Sequence, residues 1–333
     1  MDSLTQIVLG AAVGEATLGK KIGSKALLYG AIAGTIPDLD VLFGKLTDTI
    51  TAIEWHRAFS HSLLFCVIVG CFLGWLVNKI ERKANLGWKP WSKLFFLGLF
   101  THALLDAFTS WGTQILWPIQ TRFALSSIFV IDPIYTLPFL GCTIAVLFYK
   151  RDSKIRRRIN RVGLSISTLY LLISLFVKIV AEQQFIKALE QQNITYSKIS
   201  IRPSPLNIIL WNANIDTPDA YLIADYSFFD SQPITFKIYP KKHNIASKLM
   251  KYKNIQRLIS ISEGWYIIEQ INNQWIFNDL RFGLIDRKDG SSFFSFSYLL
   301  EIENEAITAT ETIKTGRDAQ FLMQCLWQRL KGN

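Results

Sequence analysis

Two patterns of apolar positions divide the chain. Up to about Ala181 they come in long runs: Leu4–Leu18, Ala26–Ile36, Ser62–Val77, Leu94–Phe108, Ile128–Tyr149 and Val162–Ala181. After a polar helical stretch, Glu182–Gln192, they alternate with polar residues in short segments rich in Ile, Tyr, Phe and Trp: Asn207–Ile215, Tyr221–Phe229, Ile234–Tyr239, Trp265–Ile271, Trp275–Leu280 and Phe293–Glu301. The long runs predict membrane helices. A full crossing takes about 20 residues, a length only the last two runs reach alone; the short second run suits a re-entrant or partly inserted segment. The period-two segments predict strands, with Asn272-Asn273 and Asp289-Gly290 as turns. Asp318–Leu330 has the pattern of a closing helix. The expected fold is an α-helical integral membrane domain of about five to six apolar helices over residues 1–181. A soluble, mainly β, α+β domain then covers 182–333.

Composition sharpens this division. Of 333 residues 50% are hydrophobic and 19% charged, against about 25% charged in an ordinary soluble domain. The net charge of +10 could suggest nucleic acid, but much of the excess lies beside apolar runs. Lys20, Lys21 and Lys25 separate the first two runs. Lys79, Arg82, Lys83, Lys89 and Lys93 separate the third and fourth. Lys150, Arg151, Lys154, Arg156, Arg157, Arg158 and Arg161 separate the last two. By the positive-inside rule these connections are cytoplasmic. Connections 37–61 and 109–127 and everything after Ala181 are then expected on the outer side. Met1-Asp2-Ser3 shows no basic leader region, so insertion is expected to rely on the membrane helices themselves. No CxxC occurs, which argues against a cysteine zinc site.

Three of the four histidines fall in two short windows with several carboxylates: Pro37-Asp38-Leu39-Asp40 with His56 and His61, then His102 with Asp106. His102 and Asp106 are one helical turn apart and share a face. Alone, that pair serves equally as a hydrogen bond between helices or as two metal ligands. His56 and His61, five apart, suit one loop position and one position on a first helical turn; alone they suit a polar membrane boundary. Asp38 and Asp40 follow a helix-stopping proline and repel each other unless a cation or donor intervenes; alone they suit a solvated loop. The charge pattern puts all six on the outward side, where they can converge. Three imidazoles and three carboxylates fit zinc, manganese or iron, as one metal with an open position or as two sharing a carboxylate.

Asp2-Ser3-Leu4-Thr5, Gly14-Glu15, Pro37-Asp38-Leu39-Asp40, His56-Arg57, Ser60-His61-Ser62 and His102-Ala103-Leu104-Leu105-Asp106 together resemble the YdjM-like family of membrane-bound metal-dependent hydrolases over about residues 1–150. That family is similar, more distantly, to the zinc-dependent phospholipase C and nuclease superfamily. The resemblance implies Asp38, His56, His61, His102 and Asp106 as metal ligands. Many relatives carry His where this chain has Gln6, a poor transition-metal ligand. Either one metal fewer is bound, or Gln6 contacts substrate or water.

The activity expected is hydrolysis of a phosphoester or lipid-linked substrate by metal-activated water. Asp38, Asp40 or Asp106 would orient the water or act as base. The expected place is the outer face of a bacterial inner membrane, with membrane lipid as a partner and no nucleic acid. Arg122 could hold a phosphate or be a surface arginine. Glu15 suits a helix–helix contact or a role behind the ligands, Asp132 a turn or a late ligand, Trp111 and Trp117 interfacial anchors, and His243 solvent. Two other readings stand beside the hydrolase: a membrane-anchored binding module with a purely structural metal or none, and a metal or proton transporter. The transporter predicts polar residues through the bilayer, and only Glu15 qualifies.

Overall fold

The computed structural model describes residues 1–242, 247–303, 306–312 and 318–333; His243 lies outside them. The chain divides into two compact units. The first comprises Met1–Leu46, Trp55–Phe176 and Pro205–Asn207; the second comprises Thr47–Glu54, Val177–Ser204 and Ile208–Asn333.

The first unit is helical. Helix α1 (Ser3–Ile22) starts under the Asp2 side chain, which accepts a hydrogen bond from the Thr5 amide at 3.1 Å. It packs on α2 (Lys25–Thr35) through facing glycines: a methyl group at Gly10, Gly14, Gly30 or Gly34 would collide with the other helix's backbone. Small residues thus let two backbones meet. Pro37 cannot continue the ladder of α2. A single tight turn, Pro37–Leu39, follows instead, then the short α3 (Asp40–Gly44), which bends the chain by 40°. Helix α4 (Thr49–Trp55) and a second tight turn, Phe59–His61, lead to α5 (Leu63–Ile80). Gly70 and Gly74 of α5 leave room for Phe96 and Ser92 of α6 (Trp88–Asp106). Helix α7 (Pro133–Leu147) follows, and α8 (Lys154–Gln191) runs for 38 residues, about 57 Å at 1.5 Å per residue. A core of Leu18, Ala26, Ala33, Val77, Trp91, Leu94 and Phe95 ties α1, α2, α5 and α6 together.

The expected five to six membrane-crossing helices are not found. Among the described residues α5 and α8 are long and apolar enough to cross a bilayer, with a third if α2 and Pro37–Gly44 form one bent span. The reason is composition within each helix. Helix α1 carries Glu15, Lys20 and Lys21, and α6 carries Lys89, Lys93, His102 and Asp106. Helix α2 has 11 residues, and α7 has 15 with Pro138 inside. The basic run, the last apolar run and the polar stretch after it, which the sequence separates, form the single helix α8.

The second unit is built on two four-stranded antiparallel meanders. One contains β1 (Lys198–Pro203), β2 (Leu210–Asp216), β3 (Ala220–Ser227) and β4 (Lys237–Pro240). The other contains β5 (Tyr266–Ile271), β6 (Gln274–Asp286), β7 (Ser292–Glu303) and β8 (Ala306–Glu311). One face of the first sheet (Ile201, Trp211, Ala213, Leu222, Ala224) packs on Ala181, Phe185, Ala188 and Leu189 at the end of α8. Tyr221 and Ile223 on its other face join Ile267, Phe277, Leu280 and Tyr298. Ile255 and Leu258 of α9 (Lys253–Ile261) complete that core together with Ile50. Glu54, in the same excursion as Ile50, holds Arg257 by two bonds, Nε to Oε1 at 2.9 Å and Nη2 to Oε2 at 2.7 Å. Helix α10 (Ala319–Leu330) closes the chain.

Candidate metal centre

Three pieces of the helical unit bring chemistry to one point. The Pro37 turn presents Asp38. The Phe59–His61 turn presents His61, and Ser62 then caps α5 by accepting the Phe65 amide at 3.0 Å. The last turn of α6 presents His102 and Asp106, four residues apart. The close glycine contact of α1 on α2 fixes the strand of backbone around Gly34, whose carbonyl oxygen lies 2.7 Å from His102 Nδ1.

Four ligand atoms, one each from Asp38, His61, His102 and Asp106, lie within 4.8 Å of one another. His61 Nε2 is 3.1 Å from His102 Nε2, 3.5 Å from Asp38 Oδ1 and 3.3 Å from Asp106 Oδ2. His102 Nε2 is 3.4 Å from Asp38 Oδ1 and 3.6 Å from Asp106 Oδ2. A tetrahedral metal with bonds of about 2.0–2.2 Å has ligand–ligand edges of roughly 3.3–3.6 Å. The five edges that involve an imidazole, 3.1–3.6 Å, are close to that size.

The outer atoms of both imidazoles decide how their inner atoms behave. His102 Nδ1 can only donate to the Gly34 carbonyl, which leaves a lone pair on Nε2. Ser60 Oγ donates to Asp40 Oδ2 at 2.9 Å, so His61 Nδ1 donates to Ser60 Oγ, also at 2.9 Å. Its Nε2 is then a lone pair too. Two lone pairs facing at 3.1 Å, beside two carboxylates, require a cation between them, either a proton or a metal. Burial draws His61 toward its neutral form, but hydrogen bonds to Asp106 and Asp38 outweigh it and leave the pKa raised above 6.5. Asp106 divides its oxygens in the same way. Oδ1 accepts from Gln6 Nε2 at 3.0 Å and from the Met1 nitrogen. Oδ2 is buried without a hydrogen-bond donor in good alignment, and Arg57 Nε lies 3.0 Å away. The donor set and this orphaned oxygen fit a divalent cation.

The remaining residues singled out in the sequence surround these four. Asp40 stands behind the cluster: its carboxylate accepts from the Arg57 amide at 2.9 Å, receives Ser60, and lies 3.2 Å from His56 Nδ1. His56 does not reach the four-atom cluster; its ring lies against Trp111, with centroids 5.7 Å apart. Gln6 is buried and donates from Nε2 to Asp106, while its Oε1 is buried without a hydrogen-bond partner. Arg122 Nη1 donates to the His56 carbonyl at 3.0 Å. Glu15 is tied to Arg156 by bonds of 2.7 Å from both Nε and Nη2, and Asp132 caps α7 and accepts from Tyr170 at 2.8 Å.

Arg57 is the residue whose part the sequence does not reveal. It is buried, reaches Asp106, and donates from Nη1 to Thr109 Oγ1 at 2.8 Å. Its φ of 58° is a strained value for a side-chain-bearing residue. Such strain persists only where surroundings over-determine it, often at functional sites. Its place directly after His56 is the signal that could have marked it.

Comparison with known proteins adds a family. Residues 1–185 match the family described as YdjM inner membrane protein. Inner membrane protein YbcI of Escherichia coli (strain K12) is 33% identical over 104 residues, 30% of this chain and 58% of that protein. YvsG of Bacillus subtilis (strain 168) is 27% identical over 135 residues, 36% of this chain and 74% of that protein. The chain thus spans little more than half the length of YbcI. No solved structure matches it, and the comparisons do not show a link to zinc-dependent phospholipases and nucleases.

Proposed function

The chain belongs to the YdjM inner membrane protein family, and on that premise we propose that it is a metal-dependent hydrolase acting on a phosphoester in a lipid or lipid-linked substrate. The observation that carries this reading is the convergence of four donor residues within 4.8 Å, with His61, His102 and Asp106 each held on the far side by an outer partner. Zinc suits the mixed nitrogen and oxygen donors, with manganese and iron as alternatives. When bound, such a metal supplies Lewis acidity and makes water a better nucleophile near neutral pH.

The chain's own residues do the rest. Asp38, with 21% of its side chain exposed against none for His61, His102 and Asp106, is the side from which substrate enters. Gly34, Ser60 and Gln6 keep the ligands oriented. His56, 28% exposed and held by Asp40, is placed to take or give a proton at the mouth of the site. Asp40 is thereby a positioning residue. The basic residues at one end of each candidate span support an outward site. Lys25 starts α2, Lys79 ends α5, and Lys154–Arg161 start α8, while Asp38, His61 and Gln191 lie at the other ends. This reading makes the protein multi-pass with its β-rich unit extracytoplasmic.

One observation favours a second reading. Four protein donors can close a tetrahedron, and closed sites are usually structural. Structural zinc sites, however, are mostly built from cysteine, and this set has no sulfur. Cobalt substitution separates the two. A catalytic centre gives a five-coordinate visible spectrum that changes when phosphate is added; a structural one gives an intense four-coordinate spectrum that does not. Metal-loaded protein in nanodiscs should cleave a phosphomonoester, phosphodiester or phospholipid. His56→Gln should lose most of that activity while keeping its metal. Failure of metal-loaded wild type on all three substrate classes would remove the hydrolase reading.

A further inference from the structure

The buried arginines of this chain follow one habit. Arg57 sets Nε beside Asp106, Arg156 sets Nε and Nη2 on Glu15, and Arg281 sets Nε and Nη2 on Asp279, the last at 3.1 and 2.8 Å. Arg202 breaks it. Its side chain, on β1, is 6% exposed, yet Nε and Nη2 are both buried without a partner, and it makes no ion pair among the described residues. Those two nitrogens form the side-on fork that binds carboxylate and phosphate oxygens in pairs. A buried charge left in this state is costly.

The surroundings of the fork are polar. In register, Arg202 pairs with Asn212 of β2, which pairs with Asp225 of β3. Opposite this row β6 bulges between Asp279 and Leu284. Within that bulge sits Gly283, at φ 71°. A Cβ there would meet Asn212 Oδ1 at 3.7 Å, which places the bulge beside the row. The nearby carboxylates are already engaged. Asp279 holds Arg281, and Asp225 accepts from the Asn212 amide group. Burial, reinforced by Arg281, outweighs the carboxylates of Asp279, Glu263 and Asp225 and pushes the Arg202 pKa down to about 9; none of the three reaches the Nε/Nη2 fork.

We propose that the β-rich unit is an oxyanion-binding module, in which the Nε/Nη2 fork of Arg202 takes a carboxylate or phosphate group from outside the chain. This site is separate from the metal cluster and does not rest on the hydrolase reading.

The test uses the full chain in nanodiscs of zwitterionic lipid, with the unfolding midpoint of the β-rich unit followed at constant ionic strength. Sodium phosphate, sodium acetate and sn-glycerol 3-phosphate are titrated in turn, and a parallel series replaces part of the lipid with phosphatidylglycerol. Wild type and His102→Ala should both show an oxyanion-dependent rise in midpoint. Arg202→Met should lose that rise and, without oxyanion, unfold no earlier than wild type, because it removes an unpaired buried charge. Arg202→Lys, which keeps the charge but not the fork, should need at least tenfold more anion. A response to the free anions identifies a soluble ligand; a response confined to phosphatidylglycerol identifies a lipid headgroup. No rise with any probe, or a rise that survives in Arg202→Met, overturns the proposal and assigns the fork to water. If Arg202→Met fails to fold, an unchanged response in Arg202→Lys overturns it equally.

Discussion

At the helical cluster two carboxylates, Asp38 and Asp106, share a point with two imidazole Nε2 atoms, and Arg57 stands beside Asp106. At the sheet row two guanidinium groups, Arg202 and Arg281, act on each other, and Asp279 hydrogen-bonds Arg281 while the Arg202 fork has no partner. Both regions are buried, and both use pairs of like charges that repel when left alone. They differ in what would neutralise them. The donor atoms left over in the first call for a cation, and the unpartnered fork in the second calls for an anion. The number of ionisable residues in a buried cluster therefore says little about its ligand. What matters is which atoms already have partners, because those left over define the charge and shape of what is missing.

The largest expected effect is at the cluster. His102→Ala or Asp106→Ala removes one of four donors, and metal bound after dialysis should fall from about one equivalent to near none by elemental analysis. If either variant retains stoichiometric metal, the cluster is not the site and the contrast fails on its first side. Next comes Arg281→Ala. It strands the buried Asp279 carboxylate and should destabilise the β-rich unit by about 3–5 kcal/mol in urea unfolding, as breaking a buried ion pair does. Equal losses from Arg281→Ala and Arg202→Met would mean that the two guanidinium groups do not differ in pairing, and the second side fails.

Smaller effects sharpen the comparison. Asp40→Ala leaves all four donors in place but releases Ser60 and with it the tautomer of His61. Metal affinity should drop about 10–100-fold in a chelator competition. The smallest is a pH effect. Burial raises the Asp225 pKa above its ordinary 3.8, while Asn212 and Arg329 pull it back in part. An acid raised on folding stabilises below its unfolded pKa, and that contribution is lost as pH rises through the folded value. Asp225→Asn should therefore be the more stable protein at neutral pH, with the gap closing toward pH 4 in thermal unfolding. A gap that widens in acid would contradict the burial argument.

The two regions were unequally legible in the sequence. The donor residues of the cluster lie in short windows, and His102 with Asp106 reads directly from helical spacing. Which of His56 and His61 reaches inward does not, because it depends on the strained backbone at Arg57 and on Ser60 turning one imidazole. Arg202, Asn212, Asp225 and Arg281 come from four strands, and an arginine in an alternating segment reads as a solvent-facing position. Sheet pairing puts the first three in one row, and Arg281 comes to them from the other sheet. β1 and β8 lack a strong strand signal for related reasons: β1 carries Lys198 and Arg202 and ends on Pro203, and β8 holds a single large apolar residue, Ile307, among alanines and threonines. The count of membrane helices was too high because apolar runs were read without the charges that share their helices. Conversely, Lys and Arg favour helix as well as most residues do, so the basic run before α8 extends that helix instead of forming a loop.

The most direct test is metal stoichiometry across the ligand set, read by elemental analysis on protein purified in detergent and loaded with zinc. About one equivalent is expected in wild type and in His56→Ala, with near-complete loss in His61→Ala and Asp106→Ala. A wild type that binds no metal on titration, or a His56→Ala variant that loses it as fully as His61→Ala, would contradict the four-residue centre.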